Sequence, residues 1–421
     1  MSSTTPAPTV ETVEGHTDPA AALLARQAEV PVQTRSERFH SYDPEAFERP
    51  SGREVNWKHT PVARLGALFT DEATDLGDPA VTYELQGDQE LFIASTGHDA
   101  ASRGDAFQPE DLPSAIAWKQ SPNALHHRIP QNVELTEPVR IRMRGTGADR
   151  HANAHIILEA MPNSRGTIIL HHAGSAQFAQ NVEIIVRDGA NLTVISVQDW
   201  DDDAIHLASH QARVDRDGFL RHIVVSFGGS IVRVNPSLEL SGTGSEGEMF
   251  GLSFADAGQH LESQVFLHHK GAQTRGDVLY KSALQGVGAR TVWIGDVLIG
   301  PDAEGTDSYE ANRNLVLTEG ARADSIPNLE IQTGDIQGAG HASATGRFDE
   351  EQLFYLRSRG ITEEEARRLV VLGFLAEIVQ KVGDDVLEER LMATIEAELE
   401  RAQAAATLSA TNESAAAELA R

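Results

Sequence analysis

The chain has no cysteine in its 421 residues. This excludes a disulfide framework, a Cys-based zinc site, and an iron–sulfur cluster held on the chain's own thiolates. Basic residues are scarce: 35 Lys and Arg stand against 63 Asp and Glu, for a formal charge of −28. Such a field repels phosphate backbones and anionic lipids, so neither nucleic acid nor a membrane is an expected partner. Long hydrophobic runs are missing. The longest, around Leu369 to Ala376, falls far short of the about 20 residues that span a bilayer. No basic start leads into an apolar stretch, so no secretory signal is expected and the expected location is the cytoplasm. The sequence has no G-x-x-x-x-G-K-[ST] loop, no G-x-S-x-G elbow and no H-E-x-x-H helix. ATP hydrolysis, hydrolase chemistry and zinc proteolysis by this chain alone are therefore not expected, and it reads as a non-enzyme.

Polar, Ala- and Pro-rich text at residues 1–30 reads as a disordered arm. Residues 31–124 read as a mixed α/β region, with short strands at Val81–Leu85 and Glu90–Ala94. From 125 to 347 short apolar alternations recur: His155–Glu159, Thr167–His171, Glu183–Val186, Leu192–Val197, His222–Val225, Ser230–Val234, Gln264–Leu267, Thr291–Ile294, Asn314–Leu317 and Asn328–Ile331. Each is followed by turn residues, and period-two patterning makes them strands with a buried face. Many short strands with little helix signal fit a sandwich, a barrel or a β-helix. Missing Asn-Gly hairpin signals and a loose repeat favour the β-helix. Residues 348–401 read as three helices. Asp349 opens the first and Gly360 stops it. Thr362 caps the second, which is apolar on most sides, with Leu369, Leu372, Ala376 and Val379 on one face. The third begins at Asp385–Glu388 and places Leu387, Leu391 and Ile395 four apart. Residues 402–421 read as a frayed tail.

Several groups could carry chemistry. His341 stands alone among small residues in a Gly-rich turn, Gly338 to Gly346, where a partner surface or an inorganic group could come close. The alternative is a histidine that hydrogen-bonds across the last turn. The pairs His126–His127, His171–His172 and His268–His269 cannot chelate one metal each, because neighbours on a strand face opposite ways. Each is expected to point one ring inward and one outward. Asp199-Trp200-Asp201-Asp202-Asp203 lacks calcium-loop spacing and reads as a solvated acidic turn. Paired acids of a polysaccharide-active β-helix enzyme are a further reading, weakened by an aromatic content of only 5%. A purely structural scaffold is another.

The segments NRNLVLTEGARADSIPNLEI and FDEEQLFYLRSRGITEEEARRLVVLGFLAEIV, with Trp57-Lys58-His59-Thr60-Pro61 upstream, resemble the SufB/SufD family of iron–sulfur cluster assembly proteins. The resemblance spans roughly residues 50–400 and is dense from 309 to 380. It implies a right-handed parallel β-helix flanked by an N-terminal mixed region and a C-terminal helical domain. It also implies the SufD role: pairing with a SufB-like paralogue and a SufC-like ATPase, or a homodimer where SufB is absent. His341 would then lie at the SufB–SufD interface, as a cluster-assembly residue and a metal ligand shared with SufB. Phe354, Leu369 and Phe374 would dock SufC. SufB-type chains carry a thiolate near the position of Asn312 and a glutamate at that of Ala342, and some SufD members have a cysteine at that of Ala339. None is present here, so a cluster is expected only transiently, in the complex. Members have been linked to reduced flavin, but no flavin-binding motif is found.

Overall fold

A computed structural model describes residues 38–72, 79–87, 91–347 and 350–401. The arm at 1–30, the tail at 402–421 and the cap at Asp349 lie outside the described residues.

Residues 123–347 form a parallel β-solenoid. Strands β3 (Asn123–Ile129) to β16 (Ile336–Arg347) follow one another along the chain; the first four pair with their sequence neighbours, and the later ones pair with the strand two places on. One sheet stacks β6 (Asn191–Trp200), β8 (Phe219–Ser226), β10 (Glu246–Ala255), β12 (Arg275–Leu284), β14 (Thr306–Val316) and β16. The other stacks β7 (Ile205–Val214), β9 (Ile231–Leu240), β11 (His260–His269), β13 (Arg290–Ile299) and β15 (Arg322–Ile331). The two long strands β4 (Val139–Ala160) and β5 (Arg165–Val186) bend from one sheet into the other. Leu192, Leu220, Gly247, Gly276, Ser308 and Ala339 stand in one column, so each rung uses roughly 30 residues. The parallel β-helix is thus the architecture present, and the sandwich and barrel readings fall away. Most strands run to about ten residues, longer than the apolar stretches that announce them.

Turns at one corner stack by a repeated device. Asn132, Asn163, Gly189, Asp217, Gly244, Gln273 and Gly305 all have positive φ. Each sends its N–H to a carbonyl one rung on, from Pro162, Asp188, Arg216, Thr243, Ala272, Glu304 and Asp335 in turn. Gly, Asn and Asp enter this left-handed region at least cost, which is why they punctuate the sequence.

Both sheets are covered outside. Over the first lie a helix at Glu363–Val379 and another at 385–401. Val371, Leu372, Leu375, Ile378, Leu387, Leu391 and Ile395 bury against Ile195, Ile223, Val225, Phe250 and Leu252. This is the cover that an all-round apolar helix demands. Thr362 caps it, its hydroxyl accepting from Glu365 N at 3.2 Å, and Gly360 has φ +87°. Leu369 departs from the expected face and is 42% exposed.

Over the second sheet lie residues 57–69 and a helix, Leu112–Gln120, that the sequence pattern does not announce. Its capping box is Asp111 with Ser114. Trp57, Leu65, Leu68 and Ile116 pack on Ala179, Leu207 and Ile231. β1 (Val81–Gln86) pairs with β4 and β2 (Phe92–Gly97) with β3, both antiparallel.

Candidate site on the terminal rung

One column of side chains runs along the solenoid through Ile168, Val194, His222, Met249 and Val278, then Glu310 and His341. It is mostly apolar until the last two positions. There it becomes an acid and an imidazole, on β14 and β16.

His341 sits within a strand, not the turn expected from its glycines. Small residues suit a parallel edge strand as well as a turn when β14 supplies the ladder. Its side chain is 45% exposed. Nδ1 lies 3.8 Å from Oε1 of Glu310, which is completely buried. Among the described residues neither Glu310 oxygen has a side-chain hydrogen-bond partner. Burial, then the charge of Asp296, pushes this carboxyl up to about 8, offset only in part by the nearby Asn328 amide. Gly295 leaves the room: a Cβ there would meet both Glu310 Oε2 and the Trp293 ring. Trp293 Nε1 and Tyr280 Oη are buried and have no hydrogen-bond partner among the described residues. The two rings lie 6.3 Å apart, and burial raises the Tyr280 phenol. Sequence reasoning missed Glu310. The available signal was an acid in an otherwise apolar strand register.

Asn312 is buried. Its Nδ2 donates to the Tyr280 carbonyl at 3.2 Å and its Oδ1 accepts from Asn314 at 2.7 Å. Ala342 is exposed and Ala339 half-buried. An amide and two methyls thus stand at these three positions.

Phe354 and Leu369 are exposed, at 74% and 42%. Phe374 is half-buried against the solenoid, with Lys281 Nζ 4.8 Å above its ring. The three are therefore not equivalent parts of one open surface.

The paired histidines divide differently. His172 and His269 are buried while His171 and His268 are partly exposed, as alternation requires. His126 and His127 are both buried, against expectation. Ala106, from the segment before the Leu112–Gln120 helix, packs over Ala124, Ile157 and Ile185 and covers that outer face. His126 Nε2 meets Glu159 Oε2 at 3.0 Å. Inside the solenoid His172, His206, His210 and His222 form a buried group that sequence reasoning did not assemble. His210 Nδ1 lies 3.0 Å from His222 Nε2, and His206 Nδ1 lies 2.8 Å from Gln198 Oε1. Burial holds His172 and His222 at about 4 and His206 and His210 well below their usual range, so these rings are neutral near pH 7. Among the described residues no group of three or more His, Asp or Glu side chains could hold a metal ion. In the acidic run, Asp201, Asp202 and Asp203 are exposed as expected. Trp200 is buried, and Asp199 pairs with His171 at 3.3 Å and Arg390 at 3.0 Å.

The family model for the SUF system FeS cluster assembly SufBD core domain matches residues 143–374. An iron–sulfur cluster assembly SufBD family protein of Mycobacterium bovis is 44% identical over 376 residues, covering 88% of this chain and 94% of that protein. One from Mycobacterium leprae is 44% identical over 377 residues, covering 88% and 96%. A second M. leprae protein of the same description is 30% identical over 201 residues, covering 48% of this chain and 23% of its own length.

Proposed function

Because the chain belongs to the SufBD family of iron–sulfur cluster assembly proteins, we propose that it serves as the SufD-type subunit of that system. In this reading it pairs with a cysteine-bearing SufB-type paralogue and a SufC-type ATPase, and clusters form at the seam between the two solenoids. One observation carries the reading: a thiol-free chain places an exposed imidazole, His341, on the last rung of its solenoid. A neutral imidazole can supply one ligand to iron, but the thiolates must come from elsewhere. The two SufBD proteins of M. leprae support a division of labour between paralogues. The cluster is cargo, built on ligands from both subunits and passed on. ATP-driven movement of the SufC-type subunit would open the seam. Among the described residues no helix is long and apolar enough to cross a membrane.

Metal stoichiometry tests the reading. After reconstitution with iron and sulfide, the purified chain is expected to hold no stable cluster. The complex with the cysteine-bearing paralogue and the ATPase is expected to hold one. A full complement of iron and sulfide on the chain alone would sink the assignment.

The ATPase contact has its own test. Phe354 and Leu369 expose apolar surface on the C-terminal helices, where a partner's aromatic and aliphatic anchors would seat. A Phe354→Asp, Leu369→Asp double variant is expected to keep its circular dichroism spectrum while weakening ATPase binding at least tenfold. Unchanged affinity by titration calorimetry would move the docking surface elsewhere.

A further inference from the structure

We infer that Lys281 is a positioning residue, a register pin: from the outer face of β12 its ammonium holds the Glu363–Val379 helix at Phe374 and Glu377 and so fixes which side of that helix, Leu369 included, is turned outward. This deepens the reading of the ATPase contact given above and rests on it for its bearing on assembly.

The need for a pin comes from the helix's own sequence. Val370, Val371, Leu372, Phe374, Leu375 and Ile378 make it apolar on most sides. Apolar burial is non-directional. Such a helix could turn by one residue, about 100°, or slip by one turn, about 5.4 Å, and still cover Ile195, Ile223 and Phe250. Lys281 supplies the missing direction. Its side chain is 5% exposed, and Nζ donates to the Phe374 carbonyl at 2.8 Å and to Glu377 Oε2 at 2.5 Å, with the Phe374 ring centre 4.8 Å away. A carbonyl has two lone pairs, so the first bond adds to the helix's own. Phe374 and Glu377 are neighbours on one helix face. Two bonds from one ammonium therefore fix the helix both along its axis and about it. A buried charge pair is a weak source of net stability, and its best-attested use is to set register.

The pin also refers the helix to the terminal rung. Lys281 pairs in register with Arg313 on β14, and Arg313 with Ala344 on β16, the strand that carries His341. Arg313 Nη1 lies 4.0 Å from the same Glu377 oxygen. One carboxylate of the helix thus faces cations on two successive rungs. With the helix so set, Val371, Leu375 and Ile378 are buried while Leu369 stays exposed. A turn of one residue would swing Leu369 through about 100° and offer a docking partner a different face.

The lack of cysteine makes the test direct, since two introduced cysteines would be the chain's only thiols. Glu364→Cys and Glu319→Cys place spin labels at exposed positions on the helix and on the solenoid. Double electron–electron resonance then reads the distance between them in the full chain. With Lys281 intact, one narrow distance is expected. Lys281→Met, and independently Lys281→Leu, are expected to keep the circular dichroism spectrum. Each should broaden the distance distribution about twofold or add a second distance about 5 Å away, the length of one helical turn. A loss of stability alone would lower the melting temperature without moving this distance. An unchanged narrow distance in both folded variants overturns the inference. The measurement needs no partner protein, so it decides the pin even if the native complex fails to form clusters, a result that would count against the proposed function instead. In the complex, Lys281→Met is expected to lower cluster yield about threefold or more, within the range seen for residues that couple two sites. A loosened helix with native yield would overturn the link between the pin and assembly.

Discussion

Replacing His341 with alanine is expected to cut cluster formation in the assembled complex about tenfold or more, while the chain folds and binds its ATPase as before. The first half follows from ligand count: a chain without thiols offers the seam one imidazole, and its loss leaves a coordination position to water. The second half follows from exposure. His341 is 45% exposed, and its ring nitrogen Nδ1 lies 3.8 Å from Oε1 of Glu310, beyond hydrogen-bond reach. Surface substitutions of this kind change stability by only about 0.5 kcal/mol. The measurement is acid-labile sulfide and iron per complex over time, alongside thermal melts of the isolated chain. A variant complex that assembles clusters at the native rate would remove His341 from the site.

The second large effect is structural. Arg233 is 3% exposed and holds the N-terminal cover to the solenoid. Its guanidinium donates to Glu262 Oε1 at 3.1 Å, to Asp111 Oδ2 at 3.0 Å and to the Asn56 carbonyl at 3.2 Å, and lies 4.0 Å over the Trp57 ring. Glu262 is fully buried and also accepts from Thr60 at 2.8 Å and Gln264 at 2.7 Å, with His260 Nε2 at 2.8 Å. Arg233→Ala strands that carboxylate without its cation, a change that costs about 3–5 kcal/mol. Chemical denaturation would measure it, and a loss below about 1 kcal/mol would refute the argument. The same network sets an acid limit. Burial opposes the charge on Glu262, but His260 and Arg233 prevail and hold it at about 2, against 4.5 for a free glutamate. The folded chain therefore binds fewer protons than the unfolded chain between these values. The stabilisation is complete above pH 4.5 and is lost as pH falls towards 2, about 3 kcal/mol in all. Glu262→Gln is expected to flatten that limb in a plot of melting temperature against pH.

Strands with aliphatic interiors are legible in the sequence alone. Leu192–Val197 and Thr291–Ile294 announce themselves because Val and Ile alternate or run together. Ile205–Val214 does not, because its inward positions include His206 and His210, buried polar rings that break the hydrophobic pattern. Ile336–Arg347 hides for a different reason. It is built from Gly, Ala, Ser and Thr, residues that look like a turn unless a neighbouring strand is known to lie beside them. The Leu112–Gln120 helix is masked by its length of nine residues and by Pro113 in its first turn. Of the site, His341 can be singled out by its isolation among small residues. Glu310 cannot, since nothing local marks an acid as buried; that depends on the rungs on either side of it. The capping residues Thr362 and Gly360 are readable because their roles are set within a few positions of sequence.

The two outer covers have a practical consequence. The matched stretch, 143–374, ends inside the Glu363–Val379 helix and begins after Trp57, Leu65, Leu68 and Ile116. A fragment trimmed to it would bare Ile195, Ile223, Phe250 and Leu252 on one flank and Leu207 and Ile231 on the other. Such a spindle stripped of its husk would clump before any chemistry could be assayed.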